Sequence, residues 1–96
     1  MDKPLTIPEA RERLKAVPGW QLQEAGPMLW REYKLKNFMA AVDFINRIAT
    51  IAEELDHHPD LHLTGYRNLR VELFTHSLKG LSEKDFQEAL RINGLA

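Results

Sequence analysis

Residues 37–56 carry the longest uninterrupted helical periodicity in the chain, and the segments on either side have to fold around it. Phe38, Ala41, Val42, Ile45, Ile48, Ala49 and Ala52 recur every three or four residues after Asn37, which gives one helix a broad apolar stripe. A second apolar line, Phe44, Ile48, Ile51 and Leu55, widens the stripe beyond what one sheet face needs; the excess is core or a contact surface for another chain. Asn46, Thr50, Glu53 and His57 follow one another along the polar side, so Glu53 and His57 touch if the last turn stays helical. Pro59 biases His58 away from helical dihedrals, and the helix therefore ends near Asp56.

The flanks read as strand pairs. Upstream, Thr6 with Pro8 and Glu9 forms a helix start, and a short amphipathic helix over about residues 7 to 16 stops at Pro18-Gly19. Residues 20 to 24 and 28 to 35 then alternate in polarity across a turn at Gly26-Pro27, although Arg31 interrupts the apolar side formed by Leu29, Tyr33 and Leu35. Downstream, Leu61 and Leu63 alternate with His62 and Thr64. After a turn around Gly65 to Asn68, Leu69, Val71, Leu73 and Thr75 alternate with Arg70, Glu72, Phe74 and His76. By that parity His62 and His76 both point away from the apolar face. Ser82 opens a last helix with Asp85 at its third position and Phe86, Ala89 and Leu90 on its buried side. The order is α-β-β-α-β-β-α, and short turns between paired strands predict an α+β fold, a four-stranded antiparallel sheet with helices packed on one face.

Ninety-six residues suit a single domain, residues 1–96, small enough that association with further copies would add useful burial. Thirteen Lys and Arg against fourteen Asp and Glu leave a net charge of -1, with no basic field to draw nucleic acid or anionic lipid. The chain has no cysteine, no apolar run long enough to span a membrane and no signal-peptide pattern at MDKPLTIPEA, which together predict a soluble cytoplasmic protein.

All four histidines, His57, His58, His62 and His76, fall between Glu53 and His76, and no cysteine competes with them for chemistry. Imidazole titrates nearest neutrality of all side chains, so two or three converging rings supply both an acid and a base. A zinc site is the poorer reading: neighbouring His57 and His58 diverge, and neither an H-E-x-x-H helix nor a cysteine accompanies them.

The spacing Glu53-x-x-x-His57-His58-Pro59, then Tyr66, His76 and Asp85, resembles the signature of the pterin-4a-carbinolamine dehydratase family, also known as dimerisation cofactors of a homeodomain transcription factor. Pro18-Gly19-Trp20, Lys36-Asn37-Phe38, Thr75-His76 and Gly80-Leu81-Ser82 extend the resemblance over nearly the whole chain. The gap between Pro59 and Tyr66 is the longer of the two the family uses, and Lys79 stands where relatives often carry a small residue.

What the resemblance implies is dehydration of 4a-hydroxytetrahydrobiopterin to quinonoid dihydropterin, a step in tetrahydrobiopterin recycling, with no cofactor and no metal. His57 and His76 would be the proton-transfer pair and His58 would orient the pterin and share in proton transfer. Glu53, Pro59, Trp20 and Asp85 would contribute to substrate binding. It also implies a homodimer or homotetramer, and a possible protein partner through the long helix. Local chemistry makes His57 the acid, since Glu53 and the helix C-terminus both favour imidazolium, and leaves His76 as the base.

Overall fold

A computed structural model describes residues 3–95; Met1, Asp2 and Ala96, included in the expected domain, lie outside the described residues. The elements are α1 (Ile7–Leu14), β1 (Gln21–Gln23), β2 (Met28–Lys34), α2 (Phe38–Leu55), β3 (Asp60–Thr64), β4 (Asn68–Leu73) and α3 (Glu83–Asn93), with a single 3-10 turn at His76–Leu78. The four strands form one antiparallel sheet in the order β1-β2-β4-β3. The two hairpins therefore meet along β2 and β4, in register from Leu29 opposite Leu73 to Lys34 opposite Asn68. The expected fold class and element order hold.

The inner face of β4, Leu69, Val71 and Leu73, is fully buried together with Leu29 of β2. Against it lie Phe44, Ile48 and Ile51 of α2 and Phe86, Ala89 and Ile92 of α3. The second apolar line of α2 is thus core, not a docking surface for a partner. The large apolar side chains α2 leaves exposed are Phe38 and Met39 in its first turn, and Phe38 does not join the buried stripe expected of it. Leu90 of α3 is likewise exposed, its expected place being taken by Ile92. The exchange follows from geometry: Asp85, Glu88, Ala89 and Ile92 recur at the helical spacing and share one face, whereas Leu90 lies a further step round the helix.

Arg31 interrupts the inner face without an isolated buried charge. Its guanidinium stacks 4.6 Å from the centre of the Tyr33 ring and donates to Asn93 Oδ1 at 2.7 Å and to the Pro18 carbonyl at 3.2 Å. Asn93 also accepts from the Trp20 indole at 2.8 Å, so one amide joins the chain after α1, the sheet and the end of α3.

Candidate active site

Two consecutive histidines part company at the end of α2. The helix closes on Asp56, which takes left-handed dihedrals (φ 50°, ψ 46°). The Asp56 N–H donates to Glu53 O and the His57 N–H reaches back to Ala52 O at 3.0 Å, the paired bonds of a Schellman turn. Because Ala52 is on the buried side of α2, the turn carries His57 inward, where it is 8% exposed. His58, held extended by Pro59, keeps a side chain 58% exposed.

The turn also decides which histidine meets Glu53. The helix stops before His57 can lie one turn beyond Glu53, and the Glu53 carboxylate instead pairs with His58 Nε2 at 2.5 Å. The expected Glu53–His57 contact is therefore replaced. This hydrogen bond to Glu53, with the nearby charges of Glu53, Asp56 and Glu88, raises the His58 pKa above the ordinary histidine value despite some desolvation.

His57 finds other partners, two carboxylates from α3 and the Thr75 hydroxyl. Its Nδ1 lies 3.0 Å from Glu88 Oε1, and its Nε2 lies 3.2 Å from Thr75 Oγ1 and 3.1 Å from Asp85 Oδ1. Asp85 Oδ1 sits within ion-pair range but off the hydrogen-bonding direction, so the ring's hydrogen bond on this side goes to Thr75. The Thr75 hydroxyl donates to Asp85 Oδ2 at 2.8 Å and contacts Ser82 Oγ at 2.8 Å, while the Ser82 N–H caps the same Asp85 oxygen at 2.9 Å. Asp85 thus fills its expected place at the helix start and reaches His57 as well.

Glu88 did not stand out in the sequence, where a carboxylate near the middle of an amphipathic helix reads as solvated. The available signal was its spacing, three residues after Asp85 and one before Ala89, on the side of the helix that must be buried. Both carboxylates are 0% exposed. Burial pushes each pKa up; for Asp85 the Ser82 N–H and the Thr75 hydroxyl offset part of this, and for Glu88 the hydrogen bond to His57 does.

His76 does not continue β4. The strand ends at Leu73, Thr75 and Gly80 form an isolated bridge, and His76 opens the 3-10 turn between them. The parity that assigned it a sheet face fails because alternation stops with the strand. Lys79 closes the turn in the left-handed conformation (φ 53°). The His76 ring instead packs against Phe74, with centroids 4.1 Å apart.

These segments enclose a cleft of about 420 Å³ lined by Asp56, His57, His58, Pro59, Phe74 and His76, among others. His57, His58 and His76 thus reach one hollow from two separate turns, and Asp85 stands behind His57. Trp20 is not among the lining residues; it is buried and tied to Asn93, which corrects its expected place at the substrate. Glu53 acts at the rim through His58. Tyr66 is exposed in the β3–β4 turn, and His62 pairs with Glu72 at 3.1 Å on the outer sheet face. Among the described residues, no group of three or more His, Cys, Asp or Glu side chains is arranged to hold a metal ion. No helix of the described residues is long and apolar enough to cross a membrane.

The cleft is open and lined by imidazoles at different depths. The sequence pattern of the family described as pterin 4 alpha carbinolamine dehydratase matches residues 3–95. The mitochondrial pterin-4-alpha-carbinolamine dehydratase 2 of Arabidopsis thaliana is 42% identical over 95% of this chain, which spans 50% of the plant protein. A Halorhodospira halophila relative bearing the same family name is 39% identical over 96% of this chain and 84% of its own length. The crystal structure of a transcriptional coactivator/pterin dehydratase from Brucella melitensis superposes with a TM-score of 0.90 at 37% identity, over 98% of this chain and 99% of the other. With agreement running from Lys3 to Leu95 in sequence and through every element in space, the chain belongs to the pterin 4 alpha carbinolamine dehydratase family.

Proposed function

We propose that this protein dehydrates 4a-hydroxytetrahydrobiopterin to quinonoid dihydropterin and water, by histidine acid-base catalysis, within tetrahydrobiopterin recycling. The observation that carries the reading is the convergence of His57, His58 and His76 on one cleft. In the reaction the C4a hydroxyl takes a proton and leaves as water, the C4a–N5 bond becomes double, and N5 gives up its proton. A donor and an acceptor are needed on the two sides of one C–N unit.

His58 suits the donor: Glu53 favours its protonated form, and its side chain is open to the cleft. His76 forms no ion pair among the described residues and suits the acceptor, with Phe74 and Pro59 supplying apolar surface for a flat heterocycle. His57 already has both nitrogens engaged, so a proton it passes on moves through Thr75 and Asp85. This division revises the expectation that His57 is the acid, which rested on Glu53 and the helix C-terminus: the carboxylate pairs with His58 instead.

We also place the single domain in the cytoplasm, on its cysteine-free composition, and as a homodimer or homotetramer, since exposed Phe38 and Met39 offer apolar surface to a second copy. The test is stopped-flow dehydration of chemically generated 4a-carbinolamine by wild type and by His57→Ala, His58→Ala and His76→Ala. The rate constants of folded His58→Ala and His76→Ala are expected to fall about 10²–10⁴-fold. Wild-type rates in all three would end the proposal.

A further inference from the structure

A carboxylate with no solvent contact and no Lys or Arg partner is an expensive residue for the core of a small domain, and Glu88 is one. Its side chain shares a buried face with Ala89 and Ile92, where a leucine would fill the same space. Among the described residues its side chain makes one hydrogen bond, Oε1 to His57 Nδ1, and Oε2 makes none. The cost is concentrated on one bond to one imidazole.

We propose that Glu88 is the positioning residue of the cleft: it holds the Nδ1 side of His57, so that Nε2 faces Thr75 and Asp85 and the four groups act as one proton-sharing unit behind the substrate. The proposal rests on reading the cleft as the dehydratase site. An ionised Glu88 can only accept, so the proton on that side of the ring belongs to Nδ1. In the imidazolium Nε2–H then donates to the Thr75 hydroxyl, whose own proton goes to Asp85. Both carboxylates come from α3, three residues apart, and the His57 backbone is fixed by the Schellman turn, so the ring is gripped on two sides by rigid elements.

Charge balance makes the unit responsive. Two buried carboxylates flank one imidazole, which carries at most one positive charge. The charged groups facing Glu88 are His57 and His58 from the turn after α2 and Asp85 from its own helix; those facing Asp85 are His57 and His76. A proton added to or removed from a cleft histidine is therefore felt by the two buried carboxylates.

Two variants separate positioning from packing. Glu88→Leu keeps the volume and removes the acceptor; Glu88→Gln keeps a neutral acceptor. Glu88→Leu is expected to unfold no earlier than wild type yet lose about 10- to 100-fold in kcat, the usual worth of a residue that orients a functional histidine, with KM unchanged. Glu88→Gln is expected to recover most of kcat and to move the kcat–pH profile toward lower pH, because an anion no longer favours the protonated state of the set. Nitrogen-resolved NMR of the His57 ring gives a readout independent of turnover: Nδ1 carries a hydrogen-bonded proton in wild type and loses that signature in Glu88→Leu. Wild-type kcat and pH profile in Glu88→Leu, or an unchanged His57 ring spectrum, overturns the proposal. If wild type itself shows no dehydration, the function above fails, and the ring spectra alone still decide whether Glu88 holds His57.

Discussion

Consecutive residues of the same type form histidine–carboxylate pairs in opposite surroundings. At the rim, His58 meets Glu53, with side chains 58% and 76% exposed. One residue earlier, His57 meets Glu88 in a buried site, with side chains 8% and 0% exposed. In the rim pair the partner's hydrogen bond dominates and the imidazole pKa rises. In the closed pair desolvation dominates and the carboxyl pKa rises. A hydrogen bond governs the exposed imidazole and desolvation governs the buried carboxyl, and the cause of the difference is access of water. In the proposed reaction such a split suits His58 to exchange protons with a ligand and His57 to be held by its buried partners.

The comparison can be broken most forcefully at the rim. His58→Ala should leave melting temperature nearly unchanged, because the pair is exposed and worth little to stability, while the dehydration rate falls about 10²–10⁴-fold. Equal losses of rate and stability would show that His58 is held as His57 is. Next in size is His57→Leu, which leaves two buried carboxylates without their imidazole. It should destabilise by about 3–5 kcal/mol at pH 7, as judged by chemical denaturation. The sign of its pH dependence follows from the raised pKa values of Asp85 and Glu88. Between their unfolded and folded values the native state binds more protons, so these groups favour folding as pH falls through that window. The deficit of His57→Leu should therefore shrink at pH 5, and a constant deficit would contradict buried, protonatable carboxylates.

A third substitution sharpens the rim half. Glu53→Gln removes the group that raises the His58 pKa, so the donor loses its proton at lower pH and the alkaline limb of the kcat–pH profile moves down the pH scale. Added salt should mimic part of this shift, since exposed charges are screened, and should leave the His57 ring spectrum untouched. The smallest effect is expected at Asp56, the residue between the two environments. Asp56→Val forces a β-branched side chain into left-handed dihedrals and should cost about 1–2 kcal/mol, read from thermal unfolding.

How much of this was legible before the coordinates depended on the range of the signal. The strand pairs, the long helix and the capping role of Asp85 rest on patterns a few residues wide, and all are present. The histidine set was legible from its spacing. The contacts of Glu53 and Glu88 were not, because they turn on one left-handed residue at Asp56, and an Asp in sequence carries only a weak preference for that conformation. His76 was misassigned for a related reason: alternation through Leu73 gives no warning that the next residues leave the sheet. Trp20 was misplaced because a flat aromatic ring suits a core and a ligand wall equally, and the Asn93 that settles the matter lies at the far end of the chain.

The wall of the cleft is drawn from Asp56–Asp60, Phe74–Ser77 and Lys84, and the whole first hairpin with α1 contributes nothing to it. The residues of this wall thus come from the later half of the polypeptide, and the earlier half supplies the frame they stand on. Sequence drift in α1 and β1 should be registered as changes in melting temperature, leaving turnover largely alone, and a transplanted unit has to run from the last turn of α2 through α3 to carry its reactive groups with it, onto a frame that restores the central strand pairing.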